Sequence, residues 1–408
     1  MCTTTMDKLG ELAHENADLL YMYKGLVAVP PICMVDDVLS LQKCTDSTKI
    51  NAVINAFVEL KKLTLSYDKC SRIHVGKKTE QCPELKVHNA KMKDSTQEKY
   101  LGDLVNTTGN IKETVADRVA KGYGIVSEIK AILSEIPLGK YKLEVGLQLR
   151  QAMLLNGLLY NSEAWHSVTM QDIVPFENLD EGLLRYLLGS HSKAPLEMLY
   201  LESGATPIRF VISSRRLNYL QTILKREDEE LTKRVLQAQI NSPCPGDFIK
   251  LIEEDFQTLG ISMDVALVTQ TSVDVFKQLV KSKIRNAALK YLQSIQQKHT
   301  KVNQIKYDKL ETQKYLTSPL FSNEETELLY GLRTRTVDCF KANFANMNTG
   351  NMFCPLNCWS RGSHHTEIHS NTCCNVQYSN QKYQLMICLW EMLSMIIYSV
   401  MLRNRRKQ

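Results

Sequence analysis

The chain has 408 residues, of which 44% are apolar and 23% charged. That is an ordinary globular balance, and it excludes a disordered or collagen-like chain. Its length suits two or three domains of roughly 100–200 residues each. The net charge is +6, unevenly spread. Lys281 to Lys314 carries nine Lys or Arg against two acids, and Arg403, Arg405, Arg406 and Lys407 crowd the other end of the tail. A local excess of this kind fits a polyanion partner, and equally the solvated side of a helix. Met1–Gly10 has no apolar core, so no secretory signal is read there and a reducing compartment is the default. Of the twelve cysteines, four fall between Cys354 and Cys374, which points to metal before disulfide.

In chain order, Thr3 to Tyr21 reads as a helix, with Leu9, Leu12, Leu19 and Leu20 as its apolar stripe. A short strand, Leu26 to Val29, precedes Pro30-Pro31. Next come Ile32 to Val35, the acids Asp36-Asp37, and Val38 to Leu41. Apolar, two carboxylates, apolar fits a β-hairpin with the acids at its bend. Lys49 to Lys62 returns to helical period. Leu63–Leu65 and Ser71–Val75 read as a strand pair, and Leu85 to His88 as a further strand. Beyond Gly102 the expected elements are helices near 110–135, 143–160, 176–190, 207–240, 246–259, 272–297 and 322–342. The last opens on a capping box, Ser322 with Glu325. Asn241 to Gly246 is the clearest break among them.

Adjacent carboxylates at a hairpin bend can both reach divalent cations. Mg²⁺ takes oxygen ligands, commonly one or two protein carboxylates plus substrate phosphates. Two such ions stabilise the attacking and leaving oxygens of an in-line displacement. A plain acidic turn is the alternative, and an Asp-Asp pair alone does not decide between them.

Context adds to the pair. Met34-Val35-Asp36-Asp37 resembles the signature of reverse transcriptase palms, and Val29 to Leu39 is similar to the version found in non-LTR (LINE-type) retrotransposons. Leu63 to Gly76 resembles the next palm motif, with Lys69 in the place of its lysine and Cys70 where Thr is common. Lys99-Tyr100-Leu101-Gly102 resembles the following motif, a turn that braces the primer end. Leu149 to Ala152 and Leu159 to Trp165 are similar to thumb and post-thumb helices, where Tyr160 and Trp165 are expected to pack in the core.

The resemblance implies RNA-directed DNA synthesis. Asp36 and Asp37 would hold Mg²⁺ or Mn²⁺, and Lys69 would offset charge on the departing pyrophosphate. RNA template, DNA primer and deoxynucleotides would be the partners, in the nucleus or cytoplasm. The family's palm has a third metal-binding aspartate, a Gly-rich segment and fingers ahead of the hairpin. Thirty-five residues precede Asp36 here, and no strand-borne aspartate stands among them. The 408-residue chain alone is therefore expected to show no polymerase activity. Template-dependent primer extension with Mg²⁺ or Mn²⁺ would refute that expectation. A non-catalytic nucleic-acid-binding fragment and a degraded retroelement relic are the competing readings.

Cys354-x₃-Cys358-x₁₀-His369-x₃-Cys373 offers three thiolates and an imidazole, a standard structural Zn²⁺ set. Non-LTR reverse transcriptases carry a similar knuckle near the C-terminus. His364, His365 and Cys374 crowd it, and free thiols are the alternative. Tyr291, Tyr307 and Tyr315 interleave with the basic stretch; they could stack on bases or pack between helices. Residues 383–402 are apolar enough to imitate a membrane span, but Gln384 and Glu391 are costly in lipid. A protein-packed helix and no membrane partner are expected, with a tail anchor as the minority reading.

The expected fold is α+β. A partial palm of small antiparallel sheet and helices covers 1–105, and a thumb-like helical region covers 106–190. A helical basic region (191–350), a zinc knuckle (351–376) and an apolar helix with a basic tail (377–408) follow.

Overall fold

The computed structural model describes residues 9, 20–34, 37–43, 49–63, 66–76, 86–87, 90–135, 141–165, 168–190, 192–300, 302–334 and 336. Asp36, the Cys354–Cys373 set and the 383–402 segment lie outside these. The chain is mixed α+β, mostly helical, with small two-stranded sheets. It forms two compact units. The first comprises 1–122, 157–176 and 208–284, the second 123–156, 177–207 and 285–408.

In the first unit β1 (Tyr21–Tyr23) pairs antiparallel with β2 (Val27–Val29). The expected helix up to Tyr21 is thus overturned at its end. Lys24 (φ 51°) and Gly25 (φ 70°) reverse the chain locally, which a helical period cannot anticipate. Lys24 then reaches Asp247 at 2.6 Å, and Tyr23 reaches the same carboxylate at 3.3 Å. β3 (Ile32–Met34) and β4 (Asp37–Leu39) form the expected hairpin. α1 (Lys49–Lys61) buries Val53, Phe57 and Val58 against Leu9 and Leu20. The helical period read from sequence holds for these residues, while Leu60, expected on the same stripe, is 59% exposed.

Of the expected strand pair at 63–75, Thr64 and Leu65 lie outside the described residues, and the second strand forms over Ser71–Ile73. Tyr67–Lys69 is a 3₁₀ turn, and β5 (Ser71–Ile73) instead pairs in parallel with β8 (Lys93–Ser95). Between them β6 (Lys86–Val87) pairs antiparallel with β7 (Ala90–Lys91). β9 (Gln97–Tyr100) and β10 (Asp103–Asn106) close the β-rich part as a hairpin.

The helices follow. α2 (Lys112–Glu135) is one continuous helix; α3 (Lys142–Leu149) runs on through a π-helical stretch, Arg150–Leu155, to a last α-turn at Asn156–Leu158. α4 (Met170–Leu188) starts earlier than the expected 176. Thr169 and Asp172 cap it reciprocally, with the Thr169 hydroxyl donating to the Asp172 carboxylate at 2.6 Å, so the helix begins ahead of Pro175. The expected helix 207–240 divides into α6 (Ile208–Leu224) and α7 (Leu231–Asn241), and a preceding α5 (Leu196–Ser203) was not anticipated. α8 (Phe248–Leu259), α9 (Val265–Gln270), α10 (Val273–Gln296), α11 (Lys314–Thr317) and α12 (Asn323–Thr334) complete the set. The Ser322–Glu325 capping box stands as read: Ser322 N–H donates to Glu325 at 2.7 Å, and Glu325 N–H donates to the Ser322 hydroxyl at 3.2 Å. No helix among the described residues is long and apolar enough to cross a membrane.

Two polar nodes lie buried in the second unit. Arg150 forms a two-pronged pair with Asp180 (2.5 and 2.7 Å), Tyr200 donates to the same carboxylate at 3.0 Å, and Arg150 also donates to the Thr206 carbonyl at 2.9 Å. Burial, then the Asp180 charge, push the Tyr200 hydroxyl well above its usual value. Glu202, fully buried, accepts from Arg333 at 2.7 Å, from Tyr315 at 2.9 Å and from Tyr307. Burial first, then Glu202, raise both tyrosine hydroxyls. Tyr307, 5% exposed, and Tyr315, half-buried, thus both donate to Glu202, which accords with packing between helices.

Candidate functional site

The β3–β4 register pairs Ile32 with Leu39, Cys33 with Val38 and Met34 with Asp37. Asp37 is thus the first residue of β4, on the strand side of the bend, where the sequence pattern put both acids in the bend itself. Its carboxylate is exposed and, among the described residues, has no ion-pair partner. An exposed carboxylate is the oxygen donor a hard divalent ion takes. Asp36 lies outside the described residues. No three His, Cys, Asp or Glu side chains converge among those described.

Lys69 closes the 3₁₀ turn, with its N–H donating to the Ser66 carbonyl at 3.0 Å, and its side chain is exposed. Among the described residues no ion pair joins it to Asp37. Cys70 is half-buried, and burial raises its thiol.

The Lys99–Gly102 segment is better defined. Tyr100 pairs with Asp103, so Leu101 and Gly102 form the turn of the β9–β10 hairpin. Both have positive φ, 47° and 90°, as a type I′ turn requires. Gly accepts that conformation freely, whereas Leu there stores strain of order 1–3 kcal/mol. Tyr100 connects this hairpin to the first: its hydroxyl approaches the Ile32 carbonyl at 3.5 Å. Burial, then the charge of Asp37, then Cys33, push that hydroxyl above its usual value. So Asp37 and Tyr100 are neighbours in space, 63 positions apart. Lys99, the preceding residue of β9, is exposed.

Sequence reasoning missed the group that holds the second hairpin. Arg118 is 5% exposed. Its guanidinium donates to the Asp103 carboxylate, to the Tyr160 carbonyl at 2.6 Å, to the Leu158 carbonyl at 3.4 Å and to the Gly102 carbonyl at 3.5 Å. Its carbon Cζ lies 5.5 Å from the ring centres of both Tyr160 and Trp165. Asn161 adds a bond to Asp103 at 3.0 Å. The signal existed in the sequence. Ile111, Val115, Arg118, Gly122, Val126, Ile129 and Leu133 form one helical stripe, buried throughout, and an arginine within such a stripe needs partners.

The expected core packing holds for Trp165, which is 4% exposed and stacked on Phe176 at 5.7 Å. It fails for Tyr160, which is 51% exposed. Asn161 is left-handed (φ 56°), and that reversal turns the residue before it outward from the buried Leu158 and Leu159.

In the second unit Arg285, Lys290, Lys298, Lys306, Lys309 and Lys314 are all exposed. None has an ion-pair partner among the described residues, so their charge faces solvent uncompensated. No family model, no curated protein and no solved structure matches the chain.

Proposed function

We propose that the chain is the C-terminal part of a non-LTR retrotransposon reverse transcriptase, carrying part of its palm. The observation that supports this most is the proximity of the two hairpins. Asp37 heads one, and the turn resembling a primer brace heads the other, joined through Tyr100 and Ile32. A polymerase needs this pairing, because the primer's terminal oxygen must meet the metals held by the carboxylates.

In this reading Asp36 and Asp37 hold Mg²⁺ or Mn²⁺, which neutralises phosphate charge when bound. Lys69 sits toward the nucleotide's phosphates. Leu101 and Gly102 present the turn on which the primer end rests. Arg118 fixes that turn. A structural Zn²⁺ on Cys354, Cys358, His369 and Cys373 belongs to the same proposal. Uncompensated lysines of the second unit favour contact with nucleic-acid backbone, which brings affinity without sequence choice.

The test is binding of a duplex of RNA template and DNA primer, followed by fluorescence anisotropy. Binding is expected at about 50 mM salt, weakening steeply by about 200 mM. Replacing Lys290, Lys298, Lys306 and Lys309 together by Glu should reduce both the affinity and the salt dependence. Absence of binding at low salt, or affinity unchanged by the quadruple replacement, would argue against the assignment.

A further inference from the structure

We infer that Tyr160 is a stacking platform for the terminal nucleoside of a bound primer strand. The inference rests on the polymerase reading above and adds a positioning residue to it. Three observations lead to it.

The ring is exposed while the backbone beneath it is held. Leu158 and Leu159 are fully buried, Arg118 holds the Tyr160 carbonyl at 2.6 Å, and Arg215 holds the Leu159 carbonyl. The ring edge rests against the second hairpin's turn. A Cβ placed on Gly102 would lie 3.2 Å from Tyr160 Cε1, so glycine there leaves the ring its seat. A fixed, half-exposed aromatic face loses little entropy on binding a flat partner.

The backbone on both sides is strained. Leu101 and Asn161 are both left-handed without being glycine. Asp103, at the end of the Leu101–Gly102 turn, accepts from Asn161 at 3.0 Å and pairs with Arg118. Strain of this kind persists where surrounding contacts hold it, and clusters at ligand clamps. Here it serves to turn Tyr160 outward over the Leu101–Gly102 turn.

The chemistry of the rim selects the ligand. Leu101 is 39% exposed and Lys99 is exposed on the same hairpin. An aromatic face with an apolar shoulder suits the flat face of a base. Stacking on an aromatic is indifferent to base identity, because every base has a π-face. A primer terminus must be held without regard to sequence, and this surface meets that requirement.

The test uses the full chain and a duplex whose primer ends in a fluorescent purine analogue. Stacking on Tyr160 should quench the analogue when the duplex binds. Tyr160→Phe should keep the quenching. Tyr160→Ala should abolish it and weaken binding about tenfold, with an unchanged circular dichroism spectrum. Quenching that survives Tyr160→Ala in a folded protein that still binds would overturn the inference and leave the polymerase reading standing. Failure of the unaltered chain to bind the duplex would overturn the polymerase reading, and the inference with it.

Discussion

Arg118→Ala is expected to destabilise the first unit by about 3 kcal/mol, the lower end of the range for breaking a buried ion pair. The lower end applies because Asp103 keeps 27% exposure and can recover some hydration. The substitution strips donors from Asp103 and from the carbonyls of Leu158, Tyr160 and Gly102. Buried acceptors left unpaired cost more than the bonds themselves contribute. Arg118→Lys should recover little, since an ammonium cannot reach several acceptors in the fixed geometry of a guanidinium. Urea unfolding followed by circular dichroism reads the effect as a lower midpoint. A loss under about 1 kcal/mol would show that Arg118 does not hold the hairpin.

Asp180→Ala is expected to cost more, about 3–5 kcal/mol in the second unit. Arg150 and Asp180 are 6% and 0% exposed. Removing the carboxylate leaves a buried guanidinium with the Thr206 carbonyl, and leaves the Tyr200 hydroxyl without its partner. Charge burial without pairing is the costly step, so removing every charge together should reverse it. Arg150→Met with Asp180→Leu and Tyr200→Phe should return to within about 2 kcal/mol of the unaltered chain. If the triple variant is as unstable as Asp180→Ala, the cost lies in packing volume, and the electrostatic account of this node is wrong.

The contrast between these two nodes and the acid hairpin shows what the sequence could reveal. The β3–β4 hairpin is local. Its apolar residues flank two acids, and strand period alone predicts it. The helix over Val53, Phe57 and Val58 and the Ser322–Glu325 box are local in the same sense. The parallel pairing of β5 with β8 joins Ser71 to Lys93, and nothing in either short segment names the other. Tyr21–Tyr23 is a strand only because Lys24 and Gly25 turn the chain back on Val27–Val29.

Arg118 stands between these cases. Its place in the apolar stripe of α2 marks it as a buried charge, but its partners, from Gly102 to Tyr160, come from two other segments. Tyr160 itself misled. An aromatic after two leucines reads as core, and only the left-handed Asn161 turns it outward. The acid pair was legible as a hairpin feature, while its neighbour Tyr100 became visible as a neighbour only in three dimensions.

The most direct measurement of the central claim replaces the divalent ion by Fe²⁺ and maps backbone cleavage with ascorbate and peroxide. Radicals form at the bound iron and cut the nearest chain. The proposed site predicts cuts within 32–39 and near Tyr100 to Asp103, absent when Asp36→Asn and Asp37→Asn are combined. Cleavage elsewhere only, or cuts at these hairpins that persist in the double variant, would contradict a metal site at the paired aspartates.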